Sequence, residues 1–136
     1  MYGNGPYGMQ WAIPRLDEAV STLLDDLDER GLLDETLVVA MGEMGRTPKA
    51  NGSWGRGHWS TLFPAVLAGA GIRGGTLYGG SDRNAEYATE NPTSPEDLAA
   101  TIYHALGIDA ETRVNNIEGR PAAIVEGGKP VLELFG

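Results

Sequence analysis

Leu37-Val-Val-Ala-Met41 is a continuous apolar run closed by Gly42, and its reading decides the fold class. The run is too short for a helix and shows no alternation of polar and apolar residues. It therefore predicts a strand buried on both faces, as parallel strands are. A second such run, Ala65-Val-Leu-Ala-Gly-Ala70, follows a polar loop over 44–60. Upstream, Leu16, Ala19, Val20, Leu23, Leu24 and Leu27 recur at helical spacing, with Pro14 in a first-turn position and Gly31 past the end. Helix, buried strand, loop and buried strand together predict an α/β domain with a mostly parallel sheet whose faces are covered.

Downstream the pattern is less regular. Residues 71–93 are rich in glycine and polar groups, with a short strand expected at Thr76-Leu-Tyr78. Ser94-Pro-Glu-Asp97 is a helix start: Ser94 is the cap, Pro95 takes the first position, and the two acids favour the positive end of the dipole. Leu98, Ile102, Ala105 and Leu106 form its buried stripe, and Gly107 ends it. The tail carries the apolar pieces Ala122-Ala-Ile-Val125 and Val131-Leu-Glu-Leu-Phe135 about a Glu126-Gly-Gly-Lys129 turn. The expected organisation is an irregular N-terminal segment over 1–13 and a single α/β domain over 14–136.

Composition narrows the chemistry. The chain has 136 residues and no cysteine, which excludes disulfides, thiolate nucleophiles and Cys-ligated metals and leaves carboxylate, imidazole, hydroxyl and amide groups. Ten Lys plus Arg against nineteen Asp plus Glu give a net charge of −9, which disfavours nucleic acid and anionic membrane surfaces as partners. No apolar run is long enough to span a membrane, and the N-terminus lacks the apolar core of a signal peptide. Much of the acid lies on the first helix, at Asp17, Glu18, Asp25, Asp26, Asp28 and Glu29, whereas residues 44–75 carry Arg46, Lys49, Arg56 and Arg73 with no acid. That local cationic charge suits an anionic small molecule, or else pairs with the acidic helix.

The candidate site follows the first strand. In open α/β sheets ligands bind beyond the carboxyl ends of the strands, and there stand Gly42-Glu-Met-Gly-Arg-Thr-Pro48 and Gly55-Arg-Gly-His-Trp59. Glu43, between glycines, is placed to bind a hard cation or act as a general base, or to cap a turn and pair with Arg46. His58, between Trp54 and Trp59, is a metal-ligand candidate or a structural loop histidine. Arg46 and Arg56 could form a guanidinium fork for phosphate or sulfate, or serve as carboxylate partners. Thr47, Asn51, Ser53 and Ser60 offer hydrogen bonds, but none lies in a Gly-x-Ser-x-Gly elbow, so nucleophilic catalysis has no support there. His104 reads as structural, and Tyr2, Tyr7 and Trp11 as pocket-lining or neighbour-packing aromatics.

Glu29-Arg-Gly-Leu-Leu-Asp-Glu-Thr-Leu-Val-Val39, Gly42-Glu-Met-Gly-Arg-Thr-Pro48, Gly55-Arg-Gly-His-Trp59 and Pro95-Glu-Asp-Leu-Ala-Ala-Thr-Ile-Tyr-His-Ala-Leu-Gly-Ile108 together resemble the C-terminal part of an uncharacterised bacterial family of sulfatase-like proteins in the alkaline phosphatase superfamily. The resemblance implies a partial alkaline-phosphatase-like α/β/α sandwich and a metal-dependent phosphate or sulfate ester hydrolase. It also implies Glu43 and His58 as ligands to a divalent metal (zinc, manganese, calcium or magnesium), with Arg46 and Arg56 as anion contacts. Two departures count against activity in the chain alone. Gly57 stands where those relatives place an aspartate before the histidine, and their Asp-Thr-His metal motif and nucleophile precede the point where this chain begins. The expectation is thus an inactive C-terminal fragment or truncated product, one that forms a homo-oligomer or docks on a missing N-terminal half, and whose longer relatives are candidates for export. The rival expectation, from another class, is a small acidic binding or self-assembly module without catalysis.

Overall fold

The computed structural model describes residues 9–52 and 55–136. The first helix, α1, runs from Met9 to Glu29. It begins before Pro14, which lies inside it and leaves the helix one backbone donor short. Gly31, at φ 67°, turns the chain after α1, and the Leu32 amide closes the end by donating to the Leu27 carbonyl at 2.8 Å. A 3-10 turn over Leu33–Glu35 then leads into β1, Val38–Met41.

The strands pair only in twos. β1 lies against Ala65–Ala68 (here β4), with Val38 opposite Ala68 and Met41 opposite Ala65, and the pairing is antiparallel. Between them, Gly45–Arg46 (β2) and His58–Trp59 (β3) form a short antiparallel ribbon. Gly80–Ser81 (β5) pairs with Ala88–Glu90 (β6), and Arg113–Asn115 (β7) with Pro121–Ala123 (β8), both antiparallel. The expected mostly parallel sheet and α/β/α sandwich are therefore corrected: the described residues form four separate antiparallel pairs and two helices.

The reason lies in the connection. Parallel neighbours need a crossover long enough to carry the chain back, ordinarily a helix. Residues 42–64 contain no helix among those described, and the chain instead doubles back through β2 and β3 so that β4 returns alongside β1 in the opposite sense. Nor are β1 and β4 covered on both faces: Val38, Val39 and Ala40 are half-buried, and Met41, Ala65 and Val66 are exposed. No strand forms at Thr76–Tyr78; the chain pairs two residues later, at β5.

The second helix, α2 (Pro95–Ala105), forms where the sequence places it. Ser94 Oγ accepts the Asp97 amide at 3.0 Å, and the Asp97 carboxylate in return accepts the Ser94 amide at 2.9 Å. This helix holds most of the small core. Ala100 and Thr101 on α2 are buried, with Ala110 and Val131 from the segments that cross it. Thr101 Oγ1 donates to the Asp97 carbonyl at 2.7 Å and accepts the Val131 amide at 2.9 Å, tying the tail to the helix. The tail closes in a 3-10 turn at Leu132–Leu134, with Phe135 edge-on to His104 at 4.9 Å between ring centroids. No described helix is long and apolar enough to cross a membrane.

Candidate functional site

The β2–β3 ribbon gathers the charged candidates. Gly45 permits it: a Cβ there would lie 2.8 Å from the Trp59 carbonyl oxygen and would also strike the Leu62 carbonyl, so any side chain would push the strands apart. With Gly45 opposite Trp59, Arg46 falls opposite His58. Directly opposed residues share a face of the ribbon, which puts the Arg46 and His58 side chains side by side. Arg46 Nη2 donates to Glu43 Oε1 at 3.2 Å, so the carboxylate reaches the same group. Glu43, Arg46 and His58 are thus brought together, all on the exposed surface.

Arg56 does something else. Its Nη1 donates to the Thr47 carbonyl at 2.7 Å and to the Pro48 carbonyl, bridging the two arms of the ribbon. Thr47 completes the bridge: its amide donates to the Gly57 carbonyl, and its hydroxyl accepts the Gly57 amide at 3.0 Å while donating to the Lys49 carbonyl. At the ribbon's tip Asn51 accepts the Gly55 amide on its side chain at 2.9 Å, and its own amide donates to the Gly55 carbonyl. The described residues of the expected polar loop form two arms of a hairpin joined by these hydrogen bonds. Ser53 and Trp54 lie outside the described residues, as do Tyr2 and Tyr7.

Arg46 and Arg56 have different partners in this structure. Arg56 spends donors on backbone carbonyls, and Arg46 faces a carboxylate. The Glu43–Arg46 pair is solvent-exposed on both sides, and such a pair is worth less than about 1 kcal/mol, so an incoming anion or cation could open it at small cost. Among the described residues no group of three or more His, Asp or Glu is arranged to hold a metal ion.

Two linkages escaped the sequence. Trp59 Nε1 donates to the Glu86 carbonyl at 2.8 Å and packs edge-on to Tyr87 at 5.9 Å, fastening the ribbon to the β5–β6 hairpin. Asp97, read as a helix-dipole acid, also accepts the Lys129 amide at 2.8 Å. That bond, followed by those from the Ser94 amide and hydroxyl, holds its pKa below the ordinary aspartate value. The sequence signal for the cap was Ser94-x-x-Asp97; nothing local marks a partner in the distant tail.

Neither a curated protein nor a solved structure matches the chain. One family model does, described as "Protein of unknown function (DUF1501)", and it covers residues 3–135. This corrects the expected kinship. The match is to an uncharacterised family, and none of the comparisons ties the chain to sulfatases or to the alkaline phosphatase superfamily. With nearly its whole length matched, the chain belongs to the DUF1501 family, proteins of unknown function.

Proposed function

We propose that this chain is an acidic, non-catalytic association module that assembles with a second copy of itself. The observation that carries this reading is the exposed apolar face of α1: Leu16 is 61% and Ile13 53% exposed, and Met9 and Leu23 are similarly open. Apolar stripes on surface helices normally face a core. The rest of the molecule repeats the pattern, since Ala100, Ala110 and Val131 are the buried apolar side chains among the described residues. Large exposed apolar areas mark association surfaces.

The energetics favour a reversible assembly. Covering a half-exposed Leu or Ile contributes about 1 kcal/mol. Summed over one helix face in each of two copies, the gain is of the same order as the freedom lost on association, about 4–15 kcal/mol. Binding to a second copy then stabilises the fold by mass action. The wild-type unfolding midpoint should rise with protein concentration, and Leu16→Gln should flatten that dependence while the monomer's helical content stays the same. A midpoint independent of concentration in both proteins would refute self-association.

A further inference from the structure

We infer that Asn51 is a self-modification site, at which the chain's own Gly52 amide displaces ammonia from the Asn51 side chain and leaves aspartate or isoaspartate. The inference is independent of assembly. Asn51 and Gly52 are both exposed at the tip of the β2–β3 ribbon, and a Cβ built on Gly52 would meet nothing within 4 Å. The attacking nitrogen therefore belongs to a residue with no side chain to shield it and with the backbone freedom that closing a ring demands. The other reactant is held in place. The Gly55 amide donates to Asn51 Oδ1 at 2.9 Å, while the Asn51 main-chain amide donates to the Gly55 carbonyl at 2.8 Å. The first of these bonds draws electron density from the side-chain carbonyl, and the second anchors the backbone that carries it.

Hydroxide takes the Gly52 amide proton, and the nitrogen bonds to Asn51 Cγ, sending an electron pair onto Oδ1. The Gly55 amide already donates to that oxygen, so the negative charge develops against a donor set in advance. Collapse breaks the Cγ–Nδ2 bond, and Nδ2 leaves as ammonia with a proton from water. Water then opens the resulting cyclic imide at either carbonyl. Opening at the main-chain carbonyl gives isoaspartate, and opening at the side-chain carbonyl gives aspartate. The two products differ in consequence. Aspartate keeps an oxygen for the Gly55 amide, whereas isoaspartate routes the main chain through an extra carbon and displaces the Asn51 amide from the Gly55 carbonyl. Either one places a negative charge in the stretch 44–75, which holds Arg46, Lys49, Arg56 and Arg73 and no acid.

The test follows the full chain at mildly alkaline pH, folded or unfolded in guanidinium chloride. Peptide mapping by mass spectrometry reads conversion residue by residue and separates Asn51 from Asn4, the other asparagine followed by glycine. A donor on a developing oxyanion contributes about a hundredfold or more in a water-excluded site, and at this exposed tip the folded chain should convert Asn51 about three- to tenfold faster than the unfolded one. Gly52→Ala, which the open space around Gly52 accommodates, should slow conversion in both states while helical content stays the same. Conversion in the folded chain that is equal to or slower than in the unfolded chain would show that the Gly55 contact restrains the side chain, and would overturn the proposal. A rate unchanged by Gly52→Ala would overturn it as well, since the Gly52 nitrogen would then not be the attacking group.

Discussion

Asp97 shows how much a single carboxylate does in a molecule with so small a core. One oxygen accepts the Lys129 amide, and the other accepts the Ser94 amide and hydroxyl. Its pKa is lowered chiefly by the Lys129 bond, so the folded state gives up this proton more readily than the unfolded chain does. The resulting stabilisation is complete above the unfolded aspartate value near about 3.9 and is lost as pH falls through the lower folded value. Asp97→Asn should lower unfolding free energy by about 1–2 kcal/mol at neutral pH, measured by urea titration. Repeated near pH 3, the gap between the two proteins should narrow; an unchanged gap would mean the carboxylate's charge is irrelevant. Sequence made the Ser94 cap legible because capping is local, but the tie to Lys129 joins segments that only the fold brings near.

Arg46 and Arg56 look alike in sequence, two guanidinium groups in a glycine-rich stretch. Structure separates them, because Arg56 bonds backbone and Arg46 pairs with an exposed carboxylate. Arg56→Ala should cost about 1–2 kcal/mol of stability and Arg46→Ala less than about 0.5 kcal/mol in the same titration. Equal losses would contradict the distinct parts assigned to them.

At the scale of elements, local signals located the pieces and missed how they join. The apolar runs found β1 and β4, and the Ser94-Pro95 start found α2, because length, polarity and capping are written within a few residues. Direction was not legible from the runs themselves. A fully apolar run suggests a strand covered on both faces, but whether it pairs parallel depends on what the intervening residues do, and here Gly45–Arg46 pairs antiparallel with His58–Trp59. The tight return after β4 depends on Gly69, at φ 79°, whose missing side chain leaves room for the Thr36 and Leu33 carbonyls; the latter would lie 2.6 Å from a Cβ. Gly69→Ala should cost about 1–3 kcal/mol and leave the helical signal in circular dichroism unchanged. A neutral effect would place the β1–β4 pairing outside the cooperative fold.

Across the whole molecule, the candidate site and the proposed association surface were legible to different degrees. Arg46 stands opposite His58 and pairs with Glu43, while Arg56 donates to backbone carbonyls; the sequence showed these residues as neighbours along the chain but not which partner each takes. The apolar stripe of α1 was plain in the sequence, and periodicity implied that something covers it. What covers it is the part periodicity cannot write, since a core, another domain and a second copy demand the same residues. The self-association reading rests on the exposure of that stripe at Met9, Ile13, Leu16 and Leu23.

Sedimentation velocity of the full chain across about 1 to 100 µM, a range that brackets a micromolar equilibrium, tests this most directly. The account predicts a weight-average sedimentation coefficient that rises with concentration toward the dimer value and returns to the monomer value in Leu16→Gln. A single monomer boundary at every concentration would contradict it.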